Sequence, residues 1–355
     1  MILESGLSPK HPVPLPAREG VRGRFLASLR DAISVVPVVG RAAVPAFPLS
    51  HQAITPTNKI YRGRLSKHWR KATLLRMVPN AINDVRREFA TLAAKEPVPL
   101  ARGALLIAKE EYPSLDIDEY LDKLAALARE AEPIVRAGED TVERVQLLSH
   151  FLFELKGFEG NAENYNDPRN SFLNDVINRR LGIPITLSVV YLEVGRRLGI
   201  NLYGVSFPTH FLVKAVDERG ELIIDPFVGG KILALDEIRA RLTQIYGQPV
   251  ELSPAMLQSR GARHILARML RNLKVIYTGA SDWTRALAAL DRIIMLEPRA
   301  LDDLVERGGL FERLECFKPA LDDFQSFLSQ APEHPAAESA REAVLRLIRQ
   351  VALIN

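Results

Sequence analysis

Cysteine is almost absent from this chain, and its scarcity excludes two classes of structure. The sequence has one cysteine, Cys316, so the chain can form neither an internal disulfide nor a cysteine-rich zinc site. A lone cysteine fits a reducing compartment, and we expect a cytoplasmic protein. Cys316 lies in the run RLECFKPAL between two predicted helices, where we expect it to be a half-buried packing residue.

The sequence also lacks the motifs of nucleotide, dinucleotide and zinc sites. It contains no P-loop, no glycine-rich dinucleotide fingerprint and no His-Glu-x-x-His pair, so we expect neither a cofactor nor a metal. An uninterrupted hydrophobic span is missing as well. The apolar run AISVVPVVGRAAVPAFPL is broken by Pro37, Arg41 and Pro45, which argues against a membrane span and predicts no membrane partner.

Acidic residues are scarce in the first 76 positions. These carry 13 Lys and Arg against three acids, a net charge of +10, whereas the other 279 positions carry 34 basic and 40 acidic residues. Because the larger part has no basic excess, we predict no nucleic-acid partner. Residues 1–76 are rich in proline and show no helical or strand period. Three interpretations stay open for them: a disordered basic tail, an over-long start before Met77, or a targeting segment.

From residue 80 onward, hydrophobic residues recur at helical spacing. Asp116 and Asp140 stand where N-caps belong, and Gly138 and Gly157 stand where helices should end. The run from Asp140 to Gly157 therefore predicts one helix. Three later runs, NLYGVSF, HFLVKAVD and LIIDPF, predict an antiparallel meander, and GGKILAL adds an edge strand. Helices followed by a small antiparallel sheet predict an α+β domain over residues 77–250.

The last part of the chain, residues 261–355, is helical and repeats with a period of 34 residues. Four kinds of position recur at that offset, pairing Tyr277 with Phe311, Ala286 with Ala320, Leu290 with Phe324 and Pro298 with Pro332. The period and the pattern are the tetratricopeptide (TPR) signature. They predict an all-α TPR module of two repeats plus a cap helix, with a surface for a protein or peptide partner. Since two repeats are few for a free solenoid, we expect the module to pack on the α+β domain.

The α+β part contains the elements of a thiol-hydrolase site, in chain order. A cysteine hydrolase needs a thiolate at a helix N-terminus, a His that carries the proton and an acid that orients the His. The helix GIPITLSVVYLEVGRRLGI is followed by His210 and Asp225 on adjacent predicted strands. That helix has Pro184 in its first turn and contains no cysteine.

These residues resemble the transglutaminase-like core of the papain-type superfamily. In that pattern a helix opens with Gly-hydrophobic-Cys, one strand carries a His and a further strand carries Asp-Pro. Gly182-Ile183 match the first two helix positions, His210 matches the His, and Asp225-Pro226 match the Asp-Pro. The nucleophile position falls on Pro184. The resemblance therefore implies a papain/transglutaminase-like fold without its catalytic thiol.

A narrower resemblance is to the SirB-type bacterial proteins, in which a transglutaminase-like domain is fused to C-terminal TPR repeats. It is carried by the runs GNAENYNDPRNSFLNDVINRRLGIPITL, FPTHFLVKA, IDPFVGG and LARMLRNLK. The resemblance spans residues 80–355 and does not reach 1–76. One departure is Thr209, directly before the His, where this family is expected to have Gly.

Two functions stay open at this point. The first is a non-catalytic interaction or regulatory protein, a pseudoenzyme in which His210 and Asp225 are a structural remnant or line a ligand pocket. The second is a hydrolase or acyltransferase that uses the same pair with a hydroxyl nucleophile such as Thr186. Three polar loop residues are expected near the His, as binding residues or as loop-shaping hydrogen-bonding groups: Asn164, Tyr165 and Asn170.

Overall fold

The computed structural model describes residues 80–352, and the predicted segment 1–76 lies outside them. The described part begins with the helices α1 (Asn80–Ala93), α2 (Leu100–Glu111), α3 (Ile117–Val135) and α4 (Thr141–Ser149). Asp116 caps α3 by accepting from the backbone N–H groups of Asp118 and Glu119. Asp140 caps α4 by accepting from the backbone N–H of Glu143. These bonds satisfy donors that a first helical turn otherwise leaves unpaired.

The fourth helix changes its winding halfway along the predicted segment. The sequence predicted one α-helix over residues 140–157, but α4 ends at Ser149 and a π-helix follows over His150–Leu155. The Ser149 hydroxyl donates to the carbonyl oxygen of Gly230 at 3.0 Å. The prediction is therefore wrong in its second half, where a tertiary contact with a distant turn coincides with the wider winding.

The helix that opens with Pro184 forms the centre of the α+β part. It is preceded by β1 (Glu159–Gly160), a 3₁₀ turn (Pro168–Ser171), α5 (Leu173–Arg179) and β2 (Leu181–Gly182), and it runs as α6 (Pro184–Arg197). Proline is accepted in the first turn because its missing N–H would have no helical partner there. α6 packs against α3 and buries most of its side chains, among them Leu187 and Val190.

In the described part of the chain, the main sheet has five antiparallel strands in the order β6-β5-β4-β3-β7. They are β3 (Leu202–Val205), β4 (Leu212–Asp217), β5 (Gly220–Asp225), β6 (Lys231–Leu233) and β7 (Ser259–Arg260). The predicted meander and edge strand are confirmed, with Val213 opposite Ile224 and Asp225 opposite Lys231. β7 was not predicted, because two residues are too few to show an alternating pattern.

Helices complete the fold after the sheet. α7 (Leu235–Tyr246) buries Ile238 and Leu242 against the strands, and a 3₁₀ turn (Pro254–Leu257) follows. The remaining helices are α8 (Ala262–Gly279), α9 (Trp283–Leu296), α10 (Leu301–Arg313), α11 (Phe317–Gln330) and α12 (Ala337–Ala352). The pairs α8–α9 and α10–α11 correspond to the two predicted repeats, and α12 to the predicted cap. Ala286 and Ala320 are fully buried, as close contact between paired helices requires.

Helix α8 belongs to both parts of the molecule. It pairs with α9 and also packs against α2 and α6. A Cβ at Gly103 on α2 would lie 2.5 Å from Leu266 Cδ1, so the glycine lets α2 and α8 approach closely. Leu266, Met269 and Leu270 are fully buried. The repeat helices are therefore fixed to the α+β part through a shared helix.

The turn after β5 supplies a matched pair of glycines. Gly229 and Gly230 both have φ +73°, but a Cβ at Gly229 would meet nothing within 4 Å, whereas one at Gly230 would overlap the Ser149 hydroxyl. We predict that Gly229→Ala lowers the free energy of unfolding by about 1–2 kcal/mol, because alanine disfavours the left-handed backbone. Gly230→Ala should lower it by roughly 1–3 kcal/mol more, because its Cβ also overlaps Ser149. Urea unfolding of both variants measures the two free energies. Equal losses of stability would contradict the prediction, because they would mean that Ser149 and α4 move away from the new Cβ without cost.

Candidate functional site

His210 and Asp225 lie in hydrogen-bond contact. His210 Nε2 is 2.9 Å from Asp225 Oδ1. Asp225 is the last residue of β5 and is fully buried. His210 is not on a strand, contrary to the sequence prediction: it lies in a turn two residues before β4. The run HFLVKAVD pairs only from Leu212, because β3 ends at its partner Val205.

Asp225 gathers donors from three segments of the chain. Oδ1 also accepts from the Phe227 backbone N–H at 3.0 Å, and Oδ2 accepts from Arg241 Nη1 of α7 at 2.5 Å. Burial by itself raises the pKa of the Asp225 carboxyl, but His210 and Arg241 outweigh it and hold the pKa below its usual value. The ionised carboxylate can only accept, so His210 Nε2 carries the proton of their shared bond.

The turn that carries His210 is held by an arginine of the first repeat helix. Arg268 on α8 donates to Ser206 Oγ at 2.5 Å and to the carbonyl oxygens of Phe207 and His210 at 3.3 and 2.8 Å. Thr209 has φ +56°, a conformation that glycine adopts freely and a β-branched residue rarely adopts. Thr209, where the resemblance leads us to expect Gly, is therefore a strained residue, and Arg268 bonds to the turn on either side of it.

The start of α6 offers no side-chain nucleophile in contact with His210. Pro184 is the first residue of the helix. The Thr186 hydroxyl lies 2.7 Å from the Asn170 carbonyl oxygen and accepts from the Ile183 backbone N–H at 3.1 Å. The Ser188 hydroxyl donates to the Pro184 carbonyl oxygen at 2.7 Å. Both hydroxyls are fully buried, and among the described residues neither is hydrogen-bonded to His210.

Asn170 organises the polar loop before α5. Its side-chain amide donates to the carbonyl oxygens of Asn164 and Tyr165 at 2.7 and 3.3 Å, and its side-chain oxygen accepts from Asn161 Nδ2 at 3.1 Å. The side chain is fully buried, whereas Asn164 is exposed. Asn170 therefore shapes the loop through its hydrogen bonds, and Tyr165 is the member of the predicted set that lies near the His210 cluster.

Phe227 joins this loop, the start of α6 and His210. Its ring contacts the His210 ring edge-to-face at 5.8 Å between centroids and the Tyr165 ring at 6.2 Å. Gly160 pairs with Gly182 at the entrance to α6, and a Cβ at Gly160 would lie 2.6 Å from the Phe227 ring. The segments that the resemblance assigns to one site therefore pack around a single aromatic ring.

Residues 80–352 contain neither a cluster of metal-ligating side chains nor a membrane-spanning helix. No group of three or more His, Cys, Asp or Glu in this range could hold a metal ion. No helix in the same range is long and apolar enough to cross a bilayer. Cys316 directly precedes α11 and is half-buried, and burial raises the pKa of its thiol, so it is a poor nucleophile.

Comparison with known proteins matches both parts of this architecture. The sequence model of the transglutaminase-like superfamily matches residues 118–271, and that of the tetratricopeptide repeat matches residues 273–344. The two matches meet within α8, the helix shared by the two parts. The predicted fold class, an α+β transglutaminase-like core followed by a helical TPR region, is confirmed.

Curated relatives are bacterial proteins of one family. A UPF0162 protein of Xylella fastidiosa strain Temecula1 is 40% identical over 247 residues, which is 67% of this chain and 85% of the relative. A UPF0162 protein of Vibrio cholerae is 32% identical over 70% of this chain and 92% of the relative. The chain belongs to the UPF0162 family. Among solved structures, menin aligns with 68% of this chain and 68% of its own, at a TM-score of 0.35 and 12% identity, a likeness that carries no argument.

Sequence reasoning missed two arginines of this candidate site, Arg241 and Arg268. Arg241 stands three residues after the buried Ile238 on α7, and Arg268 stands three residues after the buried Ile265 on α8. Each therefore occupies the inward side of an amphipathic helix, where the helical period favours an apolar residue. An arginine there indicates a polar partner inside the fold, although the partner itself cannot be read from the pattern.

The Asp225 network predicts a dependence of stability on pH. Because the folded pKa of Asp225 is lowered, its contribution is present above the unfolded value of about 3.9 and is lost as the pH falls through the folded pKa. Asp225→Asn should lower the free energy of unfolding at neutral pH by about 1.5–3 kcal/mol, and the difference from wild type should shrink in acid. Denaturant titrations across pH measure this, with the exposed Asp236→Asn as the control. A difference that stays constant into acid would contradict the ionised network.

Proposed function

We propose that this UPF0162 protein is a non-catalytic interaction protein, built on a transglutaminase-like domain that has lost its nucleophile and on a short TPR module. One observation carries the proposal: the residue that opens α6 is Pro184, and the nearby hydroxyls of Thr186 and Ser188 are bonded to backbone oxygens. The His210–Asp225 pair then serves binding or structure, because general-base chemistry on a protein nucleophile needs a nucleophile within hydrogen-bond reach of the base.

The alternative, a hydrolase or acyltransferase with Thr186 as nucleophile, has less support. Thr186 is fully buried, and its hydroxyl joins Asn170 to Ile183. Attack by that oxygen would require these bonds to break and the helix start to open. The intact His210–Asp225 pair is the feature that keeps this alternative open to test.

The interaction role is supported by the TPR match, since such repeats present surfaces to protein or peptide partners. We further infer that the chain belongs to the SirB-type branch and acts in the bacterial cytoplasm. The four sequence runs of that branch, the bacterial relatives and the single cysteine support this finer assignment.

Restoring the thiol tests the loss of the nucleophile. In a Cys316→Ser background, Pro184→Cys places a lone thiol at the N-terminus of α6, where the helix and a neighbouring imidazole should lower its pKa below about 8.5. The alkylation rate as a function of pH measures that pKa. Adding His210→Ala should move the pKa back toward the ordinary value, and an ordinary pKa already in the first variant would contradict the assigned helix start.

Catalytic turnover by the wild-type protein would directly contradict the non-catalytic proposal. Wild type should not hydrolyse activated esters or peptides, nor transfer amines to glutaminyl peptides, in a manner that depends on His210. If such an activity exists, is lost in Thr186→Val and is kept in Thr186→Ser, the hydroxyl is a nucleophile and the non-catalytic proposal is wrong.

The interaction surface can be tested on the first repeat helix. Val275 on α8 is 66% exposed. A photo-crosslinking amino acid at position 275 of the full chain should give discrete adducts in a bacterial lysate. The purified partner protein should give the same adducts. The same probe at Leu155, an exposed apolar residue of the π-helix, should not. Matching adduct patterns from both positions would contradict a specific surface on α8.

A further inference from the structure

The charge of Arg268 is not balanced by any described carboxylate. Its three hydrogen bonds all go to neutral oxygens, those of Ser206, Phe207 and His210. Burial lowers the pKa of this guanidinium, which means that the protein pays a cost to keep a cation there. In contrast, Arg241 across the site is paired with Asp225.

Arg268 also keeps an N–H donor that no described residue uses. Nη1 and Nη2 make its three hydrogen bonds, and Nε makes none within the described residues. A guanidinium has five N–H donors, and Nε is not among the fully buried polar atoms that lack a partner. The Nε–H is therefore available to a ligand, while Nη1 and Nη2 hold the His210 turn.

Arg196 is a half-buried arginine of the same protein whose charge is compensated, unlike that of Arg268. Burial lowers the pKa of Arg196 too, and it has no carboxylate within 4 Å in the described part of the chain. However, its Nε donates to the Leu202 carbonyl oxygen at 2.9 Å, and it lies in the last turn of α6, where the helix dipole favours a cation. Arg268 lies in the middle of α8 and has no such compensation.

The groups around Arg268 form the rest of a small site. Tyr165 and Arg268 influence each other's titration electrostatically, and the rings of Tyr165 and His210 both pack on Phe227. Since His210 Nε2 donates to Asp225, Nδ1 is the ring nitrogen left for a ligand, and it donates to a carboxylate when the imidazole is protonated on both nitrogens. The His210 side chain is 20% exposed. The site thus combines a cation, an imidazole nitrogen and aromatic walls.

We propose that Arg268, His210 and Tyr165 form a binding site for a carboxylate group, presented by the ligand or partner of this protein. A carboxylate suits this guanidinium because one of its oxygens can accept a charge-assisted hydrogen bond from the Nε–H and its single charge balances one cation. The proposal rests on the non-catalytic function in that the site holds its ligand instead of converting it. It also places the ligand where the His210 turn meets the first repeat helix.

The test follows the side-chain Nε–H signal of Arg268 in the full-length wild-type protein by ¹⁵N NMR, assigned with Arg268→Gln. Sodium acetate, sodium chloride and sodium phosphate are added in separate titrations at constant ionic strength. A second pair of probes is N-acetyl-Ala-Leu with a free carboxylate and the same dipeptide as its amide. The signal of Arg196, assigned with Arg196→Gln, is the internal control.

The expected result is a saturable shift of the Arg268 signal with acetate and with the free-acid dipeptide, while the Arg196 signal stays in place. The free acid should bind about ten- to a hundredfold more tightly than the amide, as loss of a charged hydrogen bond implies. Tighter binding of the dipeptide acid than of acetate points to a peptide terminus, and equal binding points to a small acid.

Three results would overturn the proposal: no saturation with either carboxylate, an equal response to chloride, or an equal shift of Arg196. Preferential saturation by inorganic phosphate would overturn it too, because the proposed site balances one charge. The result of the Pro184→Cys experiment does not depend on any of these outcomes. Failure of the carboxylate site can therefore be distinguished from failure of the non-catalytic function.

Discussion

The site depends on the hydrogen bonds that the ionised carboxylate of Asp225 accepts. It is fully buried at the end of β5 and accepts from a histidine in a turn, an arginine on α7 and a backbone N–H of its own loop. A buried charge is stable only when such donors surround it. The same requirement fixes the imidazole of His210, because the carboxylate determines which ring nitrogen carries the proton.

A second constraint comes from the helix that the two parts share. α8 packs against α2 and α6 and also pairs with α9. Through Arg268 it also holds the turn that carries His210. A movement of α8 can therefore be transmitted to the His210 turn through the hydrogen bonds of Arg268. No flexible linker separates this helix from the α+β part. This geometry explains why the proposed carboxylate site and the proposed interaction surface involve the same helix.

The proposed loss of the nucleophile is compatible with the rest of the architecture. Proline is well placed at the first position of α6, and the hydroxyls that follow it bond to backbone oxygens and close the helix start. His210 and Asp225 nevertheless remain in contact. Under the proposed non-catalytic function, this buried charged pair serves binding instead of turnover.

The sequence by itself determined the helices, the meander and the repeats, since each depends on local periodicity, caps or a fixed offset. It also pointed to His210 and Asp225 through the order of motifs. Only the tertiary structure decided that Arg241 and Arg268 complete the site, that α4 continues as a π-helix against Gly230, and that β7 covers the edge of β3. These features depend on contacts between segments far apart in the chain. A helical period records which side of an element faces inward, but it carries no information about which residue it meets there.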